Sequence, residues 1–109
     1  MLRSLCLTRQ CLGLMTRIEC AIRPLSGDNG MWTLLFAAGM TGGQPSAIKT
    51  QGPFHGALAA ESVMIAITES LTLQGYEVLD EMPTWSLHLQ GELRRLNGDA
   101  SRSRRTLPF

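Results

Sequence analysis

Few residues in this chain have the type and spacing that chemistry demands. Three cysteines, Cys6, Cys11 and Cys20, are separated by five and nine residues near the start, and the two histidines, His55 and His88, stand far from them and from each other. A tetrahedral zinc site needs closely paired ligands such as a C-x-x-C knuckle, so this spacing yields no metal site. The odd count, with no later cysteine to close a long loop, also argues against a secreted disulfide framework. Cys20 sits between Ile18 and Ile22 in an alternating pattern and reads as a core thiol rather than a reactive one.

The short signatures of nucleophilic, metal and nucleotide chemistry do not occur. G-x-S-x-G, H-E-x-x-H, G-x-x-x-x-G-K-[ST] and a strand-to-helix G-x-G-x-x-G are all missing. The sequence therefore points to no catalytic residue and no cofactor. Gly39-Met40-Thr41-Gly42-Gly43 is glycine-rich but joins two strand patterns, which makes it a turn. The better anion candidate is Gly52-Pro53-Phe54-His55-Gly56, where unpaired N–H groups at a helix start meet a histidine. His55 and Gly56 would bind the anion. Against this, every helix has such an end, and Phe54 is suited to anchor the entry to the core.

Five arginines, Arg94, Arg95, Arg102, Arg104 and Arg105, could form a phosphate footprint for nucleic acid. The charge distribution weighs against it. The whole chain carries +1, yet from Met15 to Gly98 five basic residues face eight acidic ones, so the basic character sits at the ends. Trp32 and Phe36 fall on the core side of their strand and offer no exposed stacking surface. Trp85, His88 and Leu89 form the alternative interaction site, since two tryptophans are large anchors for so small a core and a second chain could complete either.

The elements that would position these residues follow from periodicity. Residues 1–14, with arginines, leucines and no acids, read as a flexible leader or as sequence ahead of a true start at Met15. Residues 16–22 alternate as a strand, and the cluster from Pro24 to Gly30 supplies a turn with positive φ at Asn29-Gly30. Residues 31–38 are apolar on both sides, as in a central strand, and residues 46–51 make a weak edge strand. Ala60, Met64, Ile67 and Leu71 share a helical face, ended by Gly75 with Tyr76 folding back. Residues 84–96 fit a helix better than a strand, with Pro83 at its start and Asn97-Gly98 as its cap. From Asp99 a basic, disordered tail is expected.

The expected fold is therefore α+β, a three-stranded antiparallel meander with two helices on one face, in the order β-β-β-α-α, spanning residues 15–98. The stretch TWSLHLQGELRRLNG and the strand-GPF-helix junction resemble small domain-of-unknown-function proteins of pseudomonad bacteria, over Met15 to Gly98. The resemblance implies a bacterial, cytoplasmic protein and no particular activity. No apolar run reaches the roughly 20 residues that span a bilayer. The functional expectation is a small non-enzymatic interaction or accessory protein, binding a partner or a second copy through a strand edge or the Trp85 helix. Nucleic-acid binding by the arginines is its rival.

Overall fold

In a computed structural model of the protein, residues 3–26, 30–80 and 83–105 are described, with side chains described as far as Gly98. The elements are β1 (Ser4–Cys11), β2 (Leu14–Pro24), β3 (Met31–Met40), β4 (Pro45–His55), α1 (Ala57–Leu73), β5 (Glu77–Leu79) and α2 (Ser86–Arg105). The strands form one antiparallel sheet in the order β4-β3-β2-β1-β5. The α+β class stands, but the three-stranded meander becomes a five-stranded sheet.

The largest change comes from the first residues. Ser4–Cys11, read as leader, forms β1, which pairs with β2 on one side and β5 on the other. Cys6 and Leu7 are buried there at 2% and 0% exposure. A two-residue turn makes the hairpin: Leu12 and Gly13 both take positive φ, 53° and 79°, the combination whose twist matches the flanking strands.

The helices cover opposite faces of the sheet, not one. Side chains alternate along a strand, so β2 sends Cys20 and Ile22 to one face and Glu19 and Ala21 to the other. β3 does the same with Leu34 and Leu35, both fully buried. On the first face Cys20, Ile22 and Leu34 pack against Ala60 and Met64 of α1, with Trp32, Phe36, Phe54, Val63 and Ile67 around them. On the second, Ala21, Leu35 and Ala37 pack against Trp85 and Leu89, with Leu93 and Leu96 alongside. A strand apolar on both sides requires two covers.

β4 is longer than its pattern suggests and runs on through Gly52-Pro53-Phe54, with a register shift opposite Trp32 and Leu34. That shift accommodates a proline, which lacks an N–H, on the edge strand. α1 ends as expected. Gly75 takes φ 100°, its N–H bonds to Thr72 O at 3.1 Å, and the Tyr76 N–H reaches Leu71 O at 3.1 Å. Arg9 of β1 adds a cation at this end, donating to Gln74 O at 3.2 Å and lying 4.9 Å above the Tyr76 ring.

Residues 84–96 are helical, but Asn97-Gly98 does not end α2, which continues to Arg105. Asn97 Oδ1 instead accepts the Ser26 N–H at 2.9 Å. The expected disordered tail is thus helical as far as Arg105, and its last four residues lie outside the described ones. The turn expected at residues 27–29 also lies outside them, while Gly30 has the positive φ expected, 67°.

Candidate functional site

The most chemically organised place in the fold is where β2 meets the start of α2. Arg17 and Glu19 are two residues apart, so both point to the α2 face, and their side chains are 4% and 1% exposed. Arg17 Nε donates to Glu19 Oε2 at 2.7 Å. The same oxygen accepts the Thr84 N–H and the Thr84 hydroxyl, each at 2.8 Å, and Oε1 accepts the Trp85 N–H at 2.9 Å. The Leu89 N–H bonds to Trp85 O, which makes Trp85 the residue from which α2 starts. A carboxylate from the sheet therefore caps this helix, a role usually played by a local side chain.

The electrostatic consequence is definite. Burial alone would push the Glu19 carboxyl upward, but the Thr84 and Trp85 N–H groups, Arg17 and the Thr84 hydroxyl together hold it below its ordinary range. Its oxygens are occupied and its proton affinity is low, so it is suited to holding a helix and not to accepting a proton from a substrate. Trp85 completes the clamp, its indole N–H donating to Gly43 O at 2.9 Å, which ties α2 to the β3–β4 turn.

Between that turn and α2 lies a cleft of about 230 Å³, lined by Arg17, Thr41, Gly43, Thr84, Trp85 and His88 among others. His88 is exposed at its rim. The cleft offers the Thr41 hydroxyl, the His88 ring and backbone groups, a set that can hydrogen-bond a small polar molecule.

Trp85 and Leu89, expected as partner anchors, are buried at 3% and 5% within the domain's own core. His88, which lines the same cleft as Trp85, is exposed. His55 is exposed at the end of β4, and Gly56 is the N-cap of α1, without a side-chain cap bond and with its own N–H donating to Gly30 O at 2.9 Å. Arg94 and Arg95 are exposed on α2, Arg95 paired with Glu92, whose carboxyl that arginine holds below its ordinary range. Arg102, Arg104 and Arg105 lie on the same helix. Burial pushes the Cys20 thiol up to about 12, in keeping with a core thiol. Among the described residues no group of three His, Cys, Asp or Glu side chains is placed to hold a metal ion.

Arg17 and Glu19 were not legible as a site from the sequence, where they read as the polar side of a half-buried strand. The available signal was β3: a strand apolar on both sides means that its neighbour is covered on both sides too. Charges on the covered side must then be paired.

The fold and this clamp define a small α+β protein, an antiparallel sheet between two helices with one helix capped from the sheet. The chain belongs to the PA4575-like protein family, whose model matches residues 1–109. The family's name is a Pseudomonas aeruginosa locus tag, in agreement with the pseudomonad resemblance, and the match takes in residues 1–14 as well. No curated protein and no solved structure matches the chain. Among the described residues no helix is long and apolar enough to cross a membrane.

Proposed function

We propose that the protein is a small non-enzymatic interaction or accessory protein of the cytoplasm whose contact surface is the outer face of α1. Three large apolar side chains on the outer side of that helix, set among Ser62, Glu69 and Ser70, carry this reading. A helix covering a sheet needs one apolar stripe, and its other side is normally polar. Here Leu58, Ile65 and Leu73 are 72%, 44% and 90% exposed on the side away from the sheet. Ala59 and Ala66 are exposed among them. Each large side chain would gain about 1.5–3 kcal/mol on full burial against a partner.

The alternatives considered from the sequence fit less well. Trp85 is occupied in the core, and the β4 edge carries Lys49, Pro45 and Pro53, features that discourage strand addition. Ile65→Arg should abolish specific capture of partners from a host extract while shifting unfolding by no more than about 0.5 kcal/mol. Unchanged capture would overturn the reading.

A second reading, nucleic-acid binding, is favoured by one observation. In α2 the positions of Arg94, Arg95, Arg102 and Arg105 fall within an arc of about 100°, opposite the side that carries Trp85 and Leu89. It predicts salt-sensitive retention on nucleic acid that disappears on truncation after Gly98.

A further inference from the structure

The β1–β2 and β3–β4 turns lie side by side at one end of the sheet, joined by the Thr41 N–H, which donates to Met15 O at 3.0 Å. They carry a second apolar surface, separate from α1. Leu12 is 97% exposed at the apex, Leu14 53%, Met40 45% and Met15 39%. Leu12 also holds φ 53°, a left-handed conformation that Asn, Asp or Gly adopts with less strain. At that exposure its side chain packs against nothing in the chain, so the fold gains nothing from a leucine there. Strain kept at a position without structural return points to a role outside the fold.

Shape and charge indicate what this end meets. Cys11 pairs with Leu14 and Thr16 with Met40, which puts Leu14 and Met40 on the α1 side of the sheet. Met15, two residues before Arg17, falls on the α2 side. A tip apolar at its apex and on both faces is not covered by one flat surface; it needs a medium that closes around it. From Gln10 to Thr16 and from Met40 to Ile48 there is no charged residue. The first charges back from the turns along β1, β2 and β4 are Arg9, Arg17 and Lys49, all basic, and β3 carries none. Arg17 is committed to Glu19, but Arg9 donates to the neutral Gln74 O and Lys49 is exposed. Arg9 lies about 10 Å back from Leu12 at about 3.3 Å per residue. Apolar faces sink about 5–10 Å into the headgroup and acyl boundary. An uncharged apolar apex backed by cations therefore follows the order of a lipid surface, acyl chains first and phosphates behind. We propose that this double-turn tip docks the protein on membranes containing anionic phospholipid, with Leu12 inserted and Arg9 and Lys49 facing the phosphates. Among the described residues no helix crosses a membrane, so the contact is one-sided and reversible. Its strength should be of the order of the 10⁴ M⁻¹ of a single myristoyl chain.

The test is flotation of the full chain with vesicles of phosphatidylcholine and phosphatidylglycerol. Wild type should float with them, and less with phosphatidylcholine alone. Leu12→Asn suits the turn, so it should be at least as stable in thermal unfolding while binding about tenfold or more weaker. Lys49→Gln should weaken binding about fivefold on the anionic vesicles and leave it unchanged on the neutral ones. Leu12→Trp should add emission that shifts to the blue on vesicles and is quenched by brominated lipid. The proposal is overturned by a wild type that does not float, by equal binding to both kinds of vesicle, or by a Leu12→Trp signal that vesicles leave unmoved. A folded Leu12→Asn chain that floats as well as wild type also overturns it. If flotation is then lost on Ile65→Arg, the lipid contact lies on α1 and the contact-surface reading stands without this tip.

Discussion

α1 and α2 cover opposite faces of one sheet and are held there by different means. Along α1 the contacts are apolar, its N-cap Gly56 makes no side-chain cap bond, and Arg9 steadies only the C-terminal end. α2 combines an apolar seam with a buried carboxylate that receives the two N–H groups leading into the helix and a buried arginine. Apolar burial is strong but non-directional, whereas a filled set of hydrogen bonds admits one position. The two outer surfaces differ in the opposite sense. α2 shows solvent Arg94 and Arg95 with one exposed leucine, Leu87, and α1 shows it Leu58, Ile65 and Leu73 among Ser62, Glu69 and Ser70. Among the described side chains, the helix fixed by apolar contact leaves three large apolar groups in solvent and the one fixed by polar bonds leaves one.

Removing β1 should break both faces at once, and that is the largest effect expected. β1 sends Leu5 towards α1, while Cys6 and Thr8 stand opposite Glu19 and Arg17 on the α2 side. A chain begun at Met15 would lose a strand paired on both sides. With a total stability of about 5–15 kcal/mol at most, such a chain should show no cooperative thermal transition by circular dichroism. A folded truncation would restore the reading of residues 1–14 as a leader.

Glu19→Ala should separate the faces. It leaves Arg17 buried beside unbonded N–H groups and should cost about 3–5 kcal/mol in denaturant unfolding. Trp85 emission should shift to the red as α2 loosens, while the α1 side keeps its structure. The complementary change on the first face is Met64→Ala, at a fully buried position. It should cost about 2–4 kcal/mol by leaving a cavity. Its hydrogen-exchange signature should be confined to α1 and the strands beneath it.

Acid should act on the α2 face through Glu19, with a smaller effect. The folded Glu19 carboxyl lies below its ordinary range, so its contribution is complete above the unfolded value of about 4.3. It declines as pH falls from there through the lowered folded value. A pH titration of stability should show wild type losing its advantage over Glu19→Gln in that window. Parallel curves would mean that the carboxylate does not hold the helix.

What the sequence disclosed follows where single-element periodicity suffices. The stripe through Ala60, Met64 and Ile67 and the glycine stop at Gly75 predict α1 because every contact involved is local in the chain. β2 and β3 were legible from their alternation. β1 was not, because its pattern of Leu5 and Leu7 against Cys6 and Thr8 is short and is flanked by the arginines that gave residues 1–14 the look of a leader. Only pairing with residues far along the chain makes it a strand. The same holds for the clamp. Glu19 and Thr84 are 65 positions apart, and nothing local in either marks the other. Trp85 was recognisable as an anchor, but its partner proved to be the β3–β4 turn of its own chain.

The carboxylate of Glu19 also acts as a check on strand alignment. Were β2 to slip by one residue against its neighbours, Glu19 and Arg17 would turn to the α1 side, among Leu34, Ala60 and Met64, away from the Thr84 and Trp85 N–H groups. Cys20 and Ile22 would meanwhile face the start of α2 and could not cap it. Two charges set two residues apart thus penalise a one-residue slip of β2, and they make the docking of a distant helix the confirmation that the strand presents the right face.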